Sequence, residues 1–458
     1  MQKVYPKEVS ALSVKRKKIK LSPTQIIAIT FAAIILLGAV LLTLPIASSN
    51  GQSAGFRGAL FTSTSATCVT GLVLFETGTQ WSGFGQAVII TLIEIGGLGF
   101  MSIASLVFFT LRKKVGLKQR MVMAQALSVN EMASVVKLQK WVLLGSLAIQ
   151  FAGALVLFIR FLPEYGAAQA AKWGLFHSIS AFCNAGFDVF GNGDSIAAFQ
   201  SDPVVLITLM VLITVGGLGF FVWEEVVRVR NFRKLSVYTK LVLIMTGTLI
   251  VFGAGVFLLL EWNNPGTIGN MSIGDKILNS FFQSVTLRTA GFASFDQAAL
   301  NDASKGVSLV LMLIGGSSGS TAGGAKTVTV VVMVLFLIAR CRGRKSVTAF
   351  RRNIPGDKFM DAMTIVSVMA GFALFGAVFI SATSPVSLSN ALFESVSALA
   401  TVGLTAGVTP VLGIPAQFLI IVFMYFGRVG ILTISLGFLM GDKAEDRFRY
   451  ANTNLMIG

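Results

Sequence analysis

The stretch FESVSALATVGL, Phe393 to Leu404, sets an aromatic residue ten positions before a glycine and an apolar residue directly after it. The same frame occurs three more times, as FTSTSATCVTGL from Phe61 to Leu72, FHSISAFCNAGF from Phe176 to Phe187 and FFQSVTLRTAGF from Phe281 to Phe292. In every copy the second residue after the leading aromatic can hydrogen-bond: Ser63, Ser178, Gln283 and Ser395. Four copies in one chain predict a fourfold arrangement about an axis.

What would meet at that axis is indicated by Thr401-Val402-Gly403, which match the start of the loop with which channels replace an ion's water by backbone carbonyls. Each frame opens with about eight residues, too short and too polar to span a bilayer, and reads as a re-entrant pore helix. Its carboxyl end, the negative end of the helix dipole, points at the glycine and favours a cation there. Gly71, Gly186, Gly291 and Gly403 are then needed where the backbone turns its carbonyl inward. The candidate ion-binding positions are Thr67, Cys68, Val69, Thr70 and Gly71; Cys183, Asn184, Ala185 and Gly186; Arg288, Thr289, Ala290 and Gly291; and Ala400, Thr401, Val402 and Gly403. Two positions beyond the glycines stand Val73, Asp188, Ala293 and Thr405 rather than a second glycine, so the filter is expected to be short. Cys68 and Cys183 read as small packed side chains, Arg288 as a brace behind the filter, and His177 as a hydrogen-bonding pore-helix residue. No nucleophile and base accompany the histidine, which argues against an enzyme.

Outward from the frames the chain is apolar: 54% hydrophobic and only 12% charged residues over 458 positions exclude a set of soluble domains. Long runs flank each frame, at about 24–44 and 84–111, 141–161 and 204–227, 241–260 and 307–338, and 360–380 and 418–440, each near the ~20 residues that cross a membrane. The expected fold is an all-α polytopic membrane protein with four parallel helix–pore-loop–helix repeats around a pseudo-fourfold central pore. The repeats are bounded as 24–120, 121–235, 236–352 and 353–440, between an amino-terminal segment 1–23 and a tail 441–458. The net charge of +17 lies in clusters between repeats and at the ends: 15–18, 112–120, 228–240, 340–352 and 443–449. Such clusters follow the positive-inside rule rather than a nucleic-acid surface, which makes both termini and the inter-repeat loops cytoplasmic. The first run has no signal-peptidase motif, so no cleaved signal is expected. Three cysteines build no disulfide framework, and no CxxC pair suggests a metal site.

A second recurring element follows each filter glycine by 24 to 30 residues: Gly96-Gly97-Leu98-Gly99, Gly216-Gly217-Leu218-Gly219, Gly315-Gly316 and Gly427-Arg428-Val429-Gly430. In the first two copies helix packing is a sufficient explanation. The third continues as GGSSGSTAGGAKT, from Gly315 to Thr327, a small and polar stretch inside a membrane segment that no helix should survive. It misses the phosphate-loop pattern because Ala325 stands between Gly324 and Lys326. The stretch reads as a gate: Gly315, Gly316, Ser317, Ser318, Gly319, Ser320, Thr321, Ala322, Gly323, Gly324 and Lys326, together with Arg428. That arginine is costly inside an apolar run and is expected to face the pore or a carboxylate, with Glu94 and Glu394 as candidates. Shortening the loop is expected to raise flux and leave apparent affinity unchanged, on the premise that loop and filter are separate.

The four frames, RTAGF at Arg288 to Phe292, the glycine-rich interruption and Arg428 together resemble the Trk, Ktr and HKT superfamily of potassium transporters, most closely its Ktr-type membrane subunits. The resemblance covers nearly the whole chain. It implies potassium uptake across the plasma membrane, a homodimer in lipid, and a cytoplasmic ring of nucleotide-binding regulatory subunits docking on the basic loops. No cofactor is implied in this chain; potassium is the substrate ion, and a sodium dependence stays open. The competing reading is a sodium-coupled secondary transporter. A potential of 100 mV is worth about 2.3 kcal/mol per charge, close to fiftyfold accumulation, so passive conduction suffices.

Overall fold

The computed structural model describes residues 22–99, 135–191, 193, 195–344 and 346–430. The basic clusters at 15–18, 112–120 and 443–449, and the far ends of the runs expected to reach 111 and 440, lie outside them. Among the described residues four helices are long and apolar enough to cross a membrane. Their outer faces present Leu37, Phe151, Val251 and Leu374 to the surroundings, as hydrocarbon contact requires.

The first repeat consists of α1 (Pro23–Thr43), the short α2 (Gly55–Thr67) and α3 (Gly83–Leu98). α1 begins at a capping box, in which Gln25 N donates to Ser22 Oγ and Ser22 N donates to Gln25 Oε1. In the second repeat the outer helix and the short helix form one run, α4 (Val135–Phe182), bent at Gly166 with φ 74°. α5 (Pro203–Leu218) and α6 (Phe220–Val229) follow, 95° apart. Asp202 caps α5 through the amides of Val204 and Val205 and takes an ion pair from Arg160 Nε at 2.5 Å, which fastens α4 near its bend.

The third repeat contains α7 (Val237–Glu261), α8 (Ile273–Thr286), α9 (Asp302–Leu313) and α10 (Thr327–Cys341). A small antiparallel hairpin, β1 (Val347–Ala349) and β2 (Arg352–Ile354), leads to the fourth repeat. That repeat is α11 (Gly356–Thr383), α12 (Leu388–Leu399) and α13 (Ile414–Val429).

One joint recurs four times and positions the short helices. Ser63 Oγ donates to Ile35 O (2.7 Å), Ser178 Oγ to Gln150 O (2.6 Å), Ser284 Oγ to Ile250 O (2.9 Å) and Ser395 Oγ to Ala373 O (2.9 Å). Opposite these hydroxyls stand Gly38, Gly153, Gly253 and Gly376, where any Cβ would overlap the serine oxygen. The joint also corrects the third frame. Ser284, not Gln283, is the equivalent residue, and Phe282 is the fully buried aromatic while Phe281 is 37% exposed. This short helix therefore reaches its glycine with one residue fewer than the others; Gln283 pairs instead with Gln297 (2.7 Å).

The second helix of each of the other repeats also ends on a glycine, and in the second repeat it resumes as α6. α3, α5 and α13 stop at Gly99 (φ 79°), Gly219 (φ 91°) and Gly430 (φ 92°). A left-handed residue ends the helical ladder, and glycine adopts it without a Cβ clash. Packing glycines sit one turn earlier: Gly96, Gly216 and Gly427 lie so close to Thr67 O, Phe182 O and Leu399 O that no side chain fits.

Candidate functional site

α2, the end of α4, α8 and α12 stop at Thr67, Phe182, Thr286 and Leu399. The four glycine-bearing segments follow immediately. Each turns through a left-handed residue two positions before its glycine: Val69 (φ 54°), Asn184 (φ 57°), Thr289 (φ 68°) and Thr401 (φ 52°). The glycines are left-handed as well, at 99°, 67°, 83° and 94° for Gly71, Gly186, Gly291 and Gly403. For a residue with a Cβ this conformation costs about 1–2 kcal/mol, and four such residues in register form one repeated design.

The segments close on one another. A Cβ on Gly71 would come within 2.6 Å of Ala185 O, and one on Gly186 within 2.6 Å of Ala290 O. One on Gly291 would overlap Val402 O, and one on Gly403 would overlap Thr70 O. Each glycine thus lies against the carbonyl that precedes the next glycine, and the circuit runs from the first repeat through the fourth and back to the first. Four helix carboxyl ends, each carrying about half a negative elementary charge, surround this ring. The Thr70, Thr289 and Thr401 hydroxyls are buried there with no protein hydrogen-bond partner.

Behind the ring stands a set of hydroxyls that the sequence reading missed. Gly71 N donates to Ser65 Oγ and Gly403 N to Ser397 Oγ, each at 3.1 Å. Ser180 Oγ donates to Phe187 O, and Thr286 Oγ1 to Phe292 O, each at 2.7 Å. These residues also take a backbone bond from each segment: Thr70 N, Ala185 N, Ala290 N and Val402 N donate to the carbonyls of Ser65, Ser180, Thr286 and Ser397 at 2.8–2.9 Å. The available signal was a hydroxyl recurring two positions after the joint serine.

The remaining predicted residues flank the ring. Cys68, Cys183 and Ala400 are fully buried, and Cys183 Sγ lies 3.3 Å from Glu94 Oε2. Arg288 turns toward the outer helix of its own repeat, donating from Nη2 to Thr246 Oγ1 (3.4 Å). His177 has Nδ1 2.7 Å from Trp173 O, accepts from Val189 N at Nε2 (3.3 Å) and stacks on Phe190, which fixes the turn beyond Gly186.

The interruption between α9 and α10 is cinched at its base. Gly315 N donates to Ala325 O (2.9 Å), Ala325 N to Leu313 O (3.1 Å) and Thr327 N to Gly316 O (3.0 Å). Lys326 Nζ closes the far side on Ala322 O (2.7 Å) and Gly323 O (3.4 Å). The excursion caps the broken end of α5: Ser317 N donates to Gly217 O (3.0 Å), Thr321 N to Gly216 O (3.2 Å), and Ser317 Oγ to Leu218 O. Phe220 N, opening α6, donates to Gly319 O (2.9 Å), and Tyr238 OH to Ser318 O (3.0 Å). Terminal helix carbonyls lack intrahelical donors, and here the loop supplies them.

Arg428 does the same for the first repeat. Its Nη2 donates to Gly96 O and to Gly97 O (2.9 Å), the equivalents of Gly216 and Gly217, and its Nη1 to Thr321 O. No carboxylate among the described residues pairs with it. Glu94 accepts from Gln150 Nε2 (2.9 Å), and Glu394 from Thr405 Oγ1 (2.8 Å) and Thr409 Oγ1. Of the two surroundings expected for Arg428, pore or carboxylate, neither Glu94 nor Glu394 supplies the second; the negative end of α3 offers the cation a favourable site instead. The expected separation of loop and ring fails too, since Thr321 Oγ1 donates to Phe182 O (3.1 Å), the last carbonyl of the helix that carries Asn184.

Apolar spans, four re-entrant helices and a ring of backbone carbonyls define a helical polytopic membrane protein built to pass a solute. The family described as TrkH, cation transport protein, matches residues 5–447, and the chain belongs to this family of transporters, not of enzymes. It is 39% identical over 97% of its length to the potassium/sodium uptake protein NtpJ of Enterococcus hirae, covering 99% of that protein. It is 41% identical over 94% of its length to the Ktr system potassium uptake protein B of Bacillus subtilis, covering 96%. Against the Vibrio alginolyticus protein of that name, identity is 37%, with 97% of each chain covered. The crystal structure of the potassium transporter TrkH from Vibrio parahaemolyticus superimposes with a TM-score of 0.72 at 18% identity, covering 92% of this chain and 86% of that one, which is a likeness of fold.

Proposed function

We propose that this chain is the potassium-translocating subunit of an uptake system in the plasma membrane. The four glycine-bearing segments are its selectivity filter, and the 315–327 loop with Arg428 is its gate. The observation that carries the reading is the closed circuit of Gly71, Gly186, Gly291 and Gly403, each against its neighbour's carbonyl. A cation shedding water needs several oxygens at fixed positions around one axis, and four left-handed turns braced by Ser65, Ser180, Thr286 and Ser397 supply a rigid set. The names of the relatives, potassium uptake proteins at 37–41% identity, agree.

In this reading the repeats divide at 120/121, 235/236 and 352/353, and the termini and inter-repeat loops face the cytoplasm. The filter opens outward, and the loop lies on its inner side. The chain works as a homodimer embedded in lipid. A nucleotide-binding regulatory ring docks on the basic loops, in keeping with the word system in the Ktr names. The name of the Enterococcus hirae relative includes sodium, so sodium is an arm of the test. In sealed vesicles holding the purified protein, potassium uptake driven by an inside-negative potential proceeds without sodium, and Gly291→Ser lets sodium compete much better. Uptake that strictly requires a sodium gradient would replace conduction by coupling. A Gly291→Ser variant with the parent's preference for potassium would remove the filter assignment.

A further inference from the structure

The loop is attached to two of the four ring segments. Thr321 Oγ1 lies 3.1 Å from the end of the Asn184 side chain. With that amide turned so that its nitrogen faces Phe182 O (3.2 Å) and Ile213 O (3.3 Å), it donates to Thr321 Oγ1 while the threonine hydroxyl donates to Phe182 O. In the other amide orientation Thr321 Oγ1 donates to Asn184 Oδ1 and Asn184 Nδ2 to Arg288 O (3.4 Å), so the threonine and the asparagine are bonded either way. Gly323 packs on Thr401 so tightly that a Cβ would overlap the threonine hydroxyl.

Asn184 and Thr401 are the left-handed residues of the second and fourth segments, which stand diagonally across the circuit. Among the four equivalent positions it is Asn184 that bonds the loop through its side chain: Val69 has no polar group, and the Thr289 and Thr401 hydroxyls have no protein hydrogen-bond partner. A left-handed residue with a side chain persists only where its surroundings over-determine it. For Asn184 part of that determination comes from the loop. The same Thr321 gives its carbonyl to Arg428 and takes its amide's acceptor from Gly216, so the loop cannot shift there without disturbing Asn184.

We propose that Thr321, acting on Asn184, is a specificity-positioning residue: it couples the loop's position to the ring's geometry, so that selectivity is full with the loop seated and falls when the loop is displaced. This rests on the filter reading above. Potassium and sodium uptake are measured separately in sealed vesicles for Thr321→Val, Asn184→Gly, the double variant and Thr321→Ser, with Thr321→Ala serving if valine is not accommodated. Glycine keeps the left-handed backbone and removes only the amide; serine keeps the hydroxyl.

Thr321→Val and Asn184→Gly each lower the potassium-to-sodium uptake ratio about fivefold, as loss of one buried hydrogen bond supports. The double variant falls no further than the lower single one, and Thr321→Ser keeps the parent ratio. Faster flux at an unchanged ratio in Thr321→Val, or single effects that multiply in the double variant, would overturn the coupling. Gly291→Ser, which touches no loop residue, separates the two readings. If it loses selectivity while Thr321→Val does not, only the coupling fails; if neither changes the ratio, the filter assignment fails as well.

Discussion

The ring and the helix breaks are both built four times from glycines, yet they end in opposite ways. In the ring the four copies stay equivalent, each with a left-handed residue, a bracing hydroxyl and a left-handed glycine. In the second helices three copies end on a single left-handed glycine, and the third has become a loop that crosses to its neighbours. In the filter-and-gate reading proposed above, an ion on the axis would meet four carbonyls at once, so a defect in one quarter would degrade the whole set, whereas a single obstruction would close an axial path. On that reading equivalence serves binding, and its loss serves control.

The largest effect should come from adding one methyl group to the symmetric region. Gly403→Ala puts a Cβ onto Thr70 O in a left-handed backbone and is expected to cut potassium uptake at least about tenfold, the equivalent of ~1.4 kcal/mol. Gly99→Ala has the same handedness, but its Cβ would meet no described residue. It should cost only backbone strain, about 1–2 kcal/mol, read as a fall of a few degrees in the unfolding midpoint of the solubilised protein with uptake near the parent's. Equal effects in the two variants would remove the distinction between the regions.

A middle effect is expected at the arginine that ties the loop to the first repeat. Arg428→Gln removes the donors to Gly96 O, Gly97 O and Thr321 O; the initial potassium uptake rate at saturating potassium should rise about three- to tenfold, since the charge-assisted bond to the loop is lost together with the arginine's anchor on α3. Arg428→Lys should behave like glutamine, because a single ammonium cannot serve two carbonyl groups on different elements as the planar fork does. A slower or unchanged rate in both variants would leave the loop without a role as gate.

The smallest effect belongs to Tyr238→Phe, which deletes the one bond from Tyr238 OH to Ser318 O (3.0 Å). Its loss supports about a two- to fivefold rise in uptake rate, less than that of Arg428→Gln, with a potassium-to-sodium ratio nearer the parent's than in Thr321→Val. A larger rise than at Arg428 would shift the main restraint to the α7 side of the loop.

The short helices and the ring glycines were legible because spacing alone announces them: a residue ten positions from a glycine lands in the same place in each quarter. The third copy shows the limit of that reading. Phe281 and Phe282 both satisfy an aromatic at the head of the frame, and only burial tells that Phe282 is the equivalent residue. The breaks at Gly99, Gly219 and Gly430 were hidden for a different reason. A glycine in an apolar run is equally suited to close packing and to a left-handed turn, and GGLG contains both, with Gly216 packed and Gly219 turned. The hairpin at 347–354 lay inside a basic cluster that read only as charge. For Arg428 the sequence identified the burden of a buried cation. It suggested carboxylates because a helix's terminal carbonyls leave no mark in residue type. Contact between Thr321 and Asn184 of the second segment spans 137 positions, and nothing local could have announced it.

The closed circuit from Gly71 to Gly403 has one further consequence. Its quarters belong to a single polypeptide, so they are translated, inserted and inherited together, always in the same cyclic order. A ring assembled from four identical subunits could not carry an asparagine in one quarter and a valine in another, nor a loop beneath only one of them. Tandem linkage removes that restriction: each quarter can acquire its own substitution without imposing it on the other three. The cost is that no wild-type subunit can be mixed in to dilute a faulty quarter.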